Sequence, residues 1–295
     1  MALLRAIESA GRPGDRLFVD PLARRFLPSS LRMVARLAAL PLAGAALTRW
    51  IDRRWPGARS SGVARTRLID ELLARALAGG VRQVVILGAG FDCRAYRVPG
   101  TEHARVYEVD HPTTQQVKHE RLARVLGTLP AHVRFVGVDL DHDDLARALE
   151  RAGWDPALPS FFVCEGVTNY LDAASVDALV RLVGHAAPSS TIAFTYVDRA
   201  LLDGAREYAG QDAIMATVVR AGEPWTFGLA PGELRSYLAE RGLELVEDLG
   251  AAEYRERYFG AAARAMRGYE FYRAAVARVP GAPSNSSAPG HVQAG

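Results

Sequence analysis

From residue 81 onward the chain alternates short apolar runs with stretches of helical period, the pattern of strands joined by helices into a parallel sheet. The runs at 83–87, 105–109, 133–138, 160–164 and 191–196 read as strands. Each ends on glycine or polar residues, at the edge where open α/β sheets place their ligands. Residues 1–80 carry apolar stripes of helical period and no convincing strand. Leu68, Ile69, Leu72, Leu73, Ala76 and Leu77 show the stripe best, with Ser60 or Ser61 placed to cap that helix. Past residue 200 come a polar helical stretch, a loop around 224–231, a helix through Leu238 and a strand at 243–249. The apolar run at 269–279 fits strand or helix equally by periodicity. The simplest layout is one domain over 1–279, with a helical N-terminal layer (1–80), an insertion at 200–235 and a compositionally disordered tail at 280–295.

Composition changes this picture little. At 295 residues, 49% hydrophobic and 23% charged, the chain can bury a substantial core. A pI near 9.0 invites a nucleic-acid reading, yet the net charge is only +3. Lys118 is the single lysine, so arginine supplies the rest of the 36 basic residues. With abundant Ala and Gly, that reads as codon bias of a GC-rich genome. No basic run is interleaved with aromatics, so no nucleic-acid partner is expected. Cys93 and Cys164 are too few for a disulfide framework or a structural zinc site and read as small buried hydrophobes. The histidines show no metal-ligand spacing, so no metal is expected. Glu8 and Asp15 interrupt any signal-peptide pattern. The most apolar stretch, 37–48, holds 12 uncharged residues with Pro41 inside, whereas a spanning helix needs about 20. The expectation is a cytoplasmic protein with no membrane partner.

The segment VVILGAGFDCR, 84–94, carries the first chemistry. A buried strand runs into Gly88-Ala89-Gly90, where glycine lets the backbone turn sharply and approach a ligand. The helix that follows is expected to offer free N–H groups. Packing alone could also call for such glycines. Glu108 and Asp110, however, close the next strand 20 and 22 residues after Gly88, where a carboxylate can accept from both ribose hydroxyls of an adenosine. Asp139 and Leu140 end the third strand, placed to bracket an adenine; a helix N-cap role suits Asp139 as well, as it does Asp141 and Asp143. NAD and S-adenosylmethionine (SAM) both suit such a crevice. A dinucleotide fingerprint needs glycine where Cys93 stands, and Asp92 would repel a pyrophosphate. SAM has no phosphate and carries an ammonium, so the loop favours SAM.

LGAGFDCRAYR, YEVDHP, GVDL and CEGVTNYL, in that order, resemble the successive motifs of the leucine carboxyl methyltransferase-like family, most closely its bacterial branch. VDPLARRF and ARTRLIDELL upstream and PWTFGLAPGEL downstream extend the resemblance over roughly residues 12–279. It implies a class I methyltransferase fold: a seven-stranded, mostly parallel sheet whose antiparallel last strand falls at 270–278, under a helical cap from the N-terminal helices and the insertion. By position it gives Arg65 the methionine carboxylate of SAM, Gly88 and Gly90 the loop that lines the methionine, Asp110 the ribose, Asp139 and Leu140 the adenine, and Glu165 the methionine ammonium. The family's eukaryotic members carry lysine where Val19 stands, which weakens transfer of their substrate, a protein phosphatase tail.

The reading that follows is a SAM-dependent O-methyltransferase, releasing S-adenosylhomocysteine, that acts on a carboxylate of a small molecule or peptide. An ionised carboxylate needs no general base, and none is expected here. Tyr170 and Tyr196, near strand ends, are the candidates for holding the acceptor, with packing under the cap as the alternative for each. Trp225 and Phe227 fit either a cap over substrate or a packing anchor. Competing readings are an NAD-dependent oxidoreductase, disfavoured by Cys93, and a non-catalytic SAM-binding protein.

Overall fold

The computed structural model describes residues 1–281, so all but the first two residues of the expected tail lie outside the described residues. Parallel strands form where the apolar runs predict them: Gln83–Leu87 (β1), Arg105–Asp110 (β2), Val133–Gly137 (β3), Ser160–Cys164 (β4) and Thr191–Val197 (β5). Glu244–Leu249 (β6) and Tyr272–Arg278 (β7) complete a seven-stranded sheet of order β3-β2-β1-β4-β5-β7-β6. β7 lies antiparallel between β5 and β6. The ambiguous run at 269–279 is therefore strand, and the only one reversed.

Four helices precede the sheet: Ala2–Ala10 (α1), Ser29–Leu37 (α2), Pro41–Arg54 (α3) and Ala58–Ala78 (α4). Arg94–Arg97 (α5), Pro112–Leu126 (α6), Leu145–Arg151 (α7) and Ala173–Gly184 (α8) connect the parallel strands. Between β5 and β6 come Arg199–Leu202 (α9), Gln211–Ala221 (α10) and Leu234–Ala239 (α11); Ala251–Phe259 (α12) precedes β7. This is the class I SAM-methyltransferase fold.

β1 and β4 are buried along their whole length, as strands sandwiched between helices must be. Alternate residues serve alternate faces. Val84 and Ile86 pack with Ile69, Leu73 and Leu77 of α4, while Val85 and Leu87 face the core shared with Leu149 and Val183. Each such fully buried aliphatic stabilises the fold by about 1.5–3 kcal/mol. The apolar stripe read along α4 is thus the stripe that covers one face of the sheet.

The start of α4 departs from expectation. Neither Ser60 nor Ser61 caps it; the helix begins at Ala58 after Gly57, whose φ is +94°. A Cβ on Gly57 would stand 2.5 Å from the Gly268 carbonyl carbon, so the two chains cross at glycines. Ser60 Oγ donates to the Arg267 carbonyl, and Ser61 Oγ accepts from Tyr269 N at 2.9 Å. Both hydroxyls tie the segment before β7 to α4, a long-range demand that local capping rules cannot see.

Candidate functional site

Strand order places the C-terminal ends of β3, β2, β1 and β4 side by side, because all four run parallel. Gly88, Asp110, Asp139 and Glu165 therefore share one sheet edge. Gly88 and Gly90 both have positive φ, +60° and +40°. Their requirements differ. A Cβ on Gly88 would fall 2.3 Å from Val167 Cγ2, so packing alone excludes a side chain there. A Cβ on Gly90 would meet nothing closer than 3.8 Å, leaving open space beside the Asp110 carboxylate.

Asp110 and Glu108 point the same way along β2, yet only one is available. Glu108 is fully buried, with Oε2 2.8 Å from Lys118 Nζ and within 3.2 Å of the Tyr96 hydroxyl, which donates to it. Lys118, the chain's single lysine, is itself 1% exposed. Burial pushes the Glu108 carboxyl up, although Lys118 pulls against it. Asp110 is partly exposed at the strand's mouth and accepts from the backbone N–H of Gly90 and from His111 N at 2.7 Å. Of the two acids, Asp110 faces the glycine loop's open side.

The helix after the loop does not offer the free N–H groups expected of it. α5 is one turn of four residues, and its leading N–H, that of Arg94, donates to Asp92 Oδ1 at 2.7 Å. Asp92 N donates to Ala89 O, closing the turn on itself. Asp92 is further held by Arg94 Nη1 at 2.5 Å, and its carboxyl lies far below the usual range because Arg94, Arg5 and Lys118 outweigh burial. A loop whose leading amide is occupied by its own carboxylate is poorly made for a pyrophosphate.

Glu165, just past β4, receives two guanidiniums: Arg65 Nε at 2.9 Å and Arg94 Nη2 at 2.8 Å. Burial opposes its ionisation; Arg94 and then Arg65 more than offset this and lower the carboxyl to about 2. Arg94 also holds Asp70 at 2.8 Å, and Asp70 is gripped by Arg97 at 2.6 Å. Helix α1 is fastened to the same network, since Arg5 pairs with Asp20 at 2.9 Å and donates to the Phe91 carbonyl in the loop. Asp20, of the VDPLARRF motif, in turn accepts from Leu22 N and Ala23 N. The cationic partner expected for Glu165 is thus, in this state, a pair of arginines.

Against this pair lies a cavity of about 320 Å³. Arg65, Glu165, Tyr170, Trp225, Tyr269 and Tyr272 line it, with Met1 and Leu4 from the N-terminal segment and Ile214 from α10. The Arg65 guanidinium sits 4.4 Å from the Tyr272 ring centre, a cation–π contact that holds it in place. Two donors in the wall, Trp225 Nε1 and Tyr269 OH, are buried without a hydrogen-bond partner among the described residues. Nearby, Asn169 Oδ1 accepts from Tyr272 OH at 3.1 Å while its Nδ2 is equally unpartnered. Buried donors are seldom left so. A larger groove of about 500 Å³ lies between α7 and α8, touching Leu140, Trp154 and Leu179, but no glycine-loop residue, Arg65 or Glu165 lines it.

The sequence-based candidates divide accordingly. Tyr170 lines the cavity and meets Trp225 edge-on, with ring centres 6.5 Å apart. Tyr196 does not: it is fully buried, donates to Asp248 Oδ2 at 2.9 Å and accepts from Arg273 Nε at 3.0 Å. Strand alternation turns it from the crevice toward β6, which corrects the expectation that it faces the acceptor. Asp139 organises the turn after β3, accepting from Asp141 N at 3.1 Å with its Oδ2 3.1 Å from His142 Nδ1, while α7 is capped by Asp144. Val19 is exposed and does not line the cavity. Trp225 stands in the cavity wall, and Phe227 is a core residue. Sequence reasoning missed Arg94, Tyr269 and Tyr272. Arg94 adjoins the glycine loop and was open to notice; the tyrosines sit in the run whose secondary structure the pattern left open.

Solved structures of similar fold include a methyltransferase, provisionally so named, from Thermobifida fusca (18% identity, TM-score 0.56, 95% of this chain and 94% of that one). A DUF574-family protein from Streptomyces avermitilis is comparable (17% identity, TM-score 0.55, 95% and 97%). At such identity they speak for the fold alone. In sequence, provisionally named S-adenosyl-L-methionine-dependent methyltransferases are more similar. One from Frankia alni is 38% identical over 184 residues, 62% of each chain. Another from the same organism is 38% identical over 224 residues, 75% of each, and one from Streptomyces coelicolor is 36% identical over 204 residues, 69% of each. The match to the first spans less than two thirds of that relative's length. The profile described as Leucine carboxyl methyltransferase matches residues 1–184, a stretch that contains the glycine loop, Asp110 and the Arg65–Glu165 pair. With that match across more than half its length, the chain belongs to the leucine carboxyl methyltransferase family, whose cofactor is S-adenosylmethionine.

Proposed function

We propose that this chain is a SAM-dependent O-methyltransferase that esterifies a carboxylate of a small molecule or peptide. The observation that carries the carboxylate is the cavity wall. Trp225 Nε1 and Tyr269 OH are buried donors without partners, and among the described residues no histidine or lysine lines the cavity. Unpartnered donors suit an anionic acceptor, whereas a hydroxyl acceptor would call for a base beside it.

When bound, SAM supplies an electrophilic methyl on a sulfonium. The chain's residues would hold it at named points. Arg65 and Glu165, now paired with each other, match the carboxylate and ammonium of an amino acid, so each can exchange one charged partner for another. Arg94 keeps Glu165 ionised throughout. Asp110 would take the ribose hydroxyls, and Asp139 with Leu140 would border the adenine. Tyr170, Trp225 and Tyr269 would orient the acceptor carboxylate so that one oxygen points at the methyl. Held so, an already ionised carboxylate would need no residue of the chain to remove a proton. Orientation of this kind can supply about 7–11 kcal/mol.

The test is product and pH dependence on a panel of acids. A methyl ester cleaved by mild base, formed at a rate flat from about pH 6 to 8.5 because carboxylates titrate near 4, supports the proposal. A base-stable ether, or a rate rising tenfold per pH unit near neutrality, refutes it. Tight SAM binding with no turnover on any acceptor would instead favour the non-catalytic reading.

A further inference from the structure

The helix pair α2–α3 presents its apolar side to water. Along α3 the exposed positions are Leu42, Ala45, Ala46, Arg49, Trp50, Arg53 and Arg54, which recur with helical period and form one stripe. Its buried side offers chiefly Gly44 and Ile51. In a soluble protein the apolar stripe of a surface helix faces the core; here it faces out. Leu42 is 88% exposed, Trp50 55% and Leu40 55%, and Met33 and Leu37 of α2 are about half exposed. A bend of 116° separates the two helices, with Leu37, Leu40 and Leu42 beside it, Met33 further back on α2 and Trp50 toward the far end of α3.

The charge along this helix pair has one sign. Residues 29–54 hold Arg32, Arg36, Arg49, Arg53 and Arg54 against a single acid, Asp52. Asp52 is already engaged by Arg59, at 2.7 and 3.0 Å. Arg36, Arg49 and Arg53 have no ion-pair partner among the described residues. Exposed leucines at the bend, with a tryptophan and unpaired arginines along the same side of α3, match one kind of surface: apolar below and anionic at the level of the headgroups. Tryptophan and arginine are the side chains that sit at that boundary, the ring amphipathic and the guanidinium reaching up from its stem.

We infer that the α2–α3 pair docks this protein on an anionic lipid surface, with Leu40, Leu42 and Trp50 entering the acyl boundary and Arg36, Arg49 and Arg53 meeting phosphate. Among the described residues no single helix is long and apolar enough to cross a membrane, and docking on the surface requires none. The expectation of no membrane partner came from segment length and does not bear on a helix that lies on a surface.

The test is co-sedimentation of the full chain with vesicles of phosphatidylcholine alone or mixed with equal phosphatidylglycerol. Binding to the mixed vesicles only, weakened by salt, is the expected result. Trp50 emission should shift to the blue with the mixed vesicles, a change absent in Trp50→Phe. Leu42→Glu should reduce binding at least tenfold while leaving S-adenosylhomocysteine affinity unchanged. Arg49→Gln with Arg53→Gln should reduce it about thirtyfold, at roughly fivefold per cation. Four results overturn the inference. The protein stays in solution with both vesicle types, or Leu42→Glu binds as well as the wild type. Alternatively, Leu42→Glu abolishes a concentration-dependent dimer that excludes vesicles, or cofactor alone shifts Trp50 without lipid, which assigns the stripe to a second copy or to closure of the cap.

Discussion

Glu165→Gln tests the buried charge network directly. The substitution keeps the shape of the side chain and removes its charge, leaving Arg65 and Arg94, with side chains 7% and 2% exposed, facing a neutral amide. A carboxyl lowered from the ordinary 4.5 to about 2 prefers ionisation in the folded chain by roughly 3 kcal/mol, at about 1.4 kcal/mol per pH unit. That agrees with the 3–5 kcal/mol, roughly, that breaking one side of a buried ion pair costs. Because the folded-state value lies below the unfolded one, this stability is fully present above about pH 5 and is lost as the pH falls toward 2. Glu165→Gln should therefore be less stable than wild type by roughly 3 kcal/mol at pH 7, about 5 °C in melting temperature for a chain of this length. The gap should narrow to about half by pH 3, where the wild-type carboxyl begins to take up its own proton. Urea unfolding midpoints from pH 7 to pH 3, on both proteins, measure it. A gap of constant size across that range would mean that the loss comes from packing, and the ionic argument would fail.

Three further outcomes are expected. S-adenosylhomocysteine at about 100 times its dissociation constant should add roughly 2.7 kcal/mol to stability, and a melting curve unmoved at millimolar ligand would remove the cofactor assignment. Asp110→Ala should weaken that binding at least about a hundredfold by losing two hydrogen bonds to a charged group, at roughly 1.5–3 kcal/mol each. Glu108→Ala should instead lower stability by about 3–5 kcal/mol, since it strands a buried lysine; calorimetric titration and denaturation together separate the two acids, and equal effects on affinity would contradict the geometry. Trp225→Phe and Tyr269→Phe, which remove one donor each while keeping the ring, should raise KM for an acid acceptor about five- to tenfold with S-adenosylhomocysteine affinity unchanged, and unchanged steady-state kinetics on the acid would take the anion away from that wall.

The sequence by itself determined the sheet. Strand cores such as VVIL at 84–87 and FFVC at 161–164 are apolar throughout because helices cover both faces, whereas the run that became β7 fitted a helix as well. The order of motifs determined the family, and the ends of β1, β2 and β4 share one edge because a parallel sheet sets those ends side by side whatever else the chain does. Tertiary structure decided what local pattern cannot encode. Glu108 and Asp110 are two residues apart and share a face of β2, yet the approach of Lys118 from α6 buries one and leaves the other free. Tyr196 looked equivalent to Tyr170 until the reversed β7 drew Arg273 and Asp248 onto its hydroxyl. Arg65 and Glu165 are 100 positions apart and meet only because α4 packs across the end of β4. Hydrophobic periodicity says which side of an element is buried; which polar groups then meet, and which donors stay unpartnered, follows from long-range packing that a one-dimensional pattern does not contain.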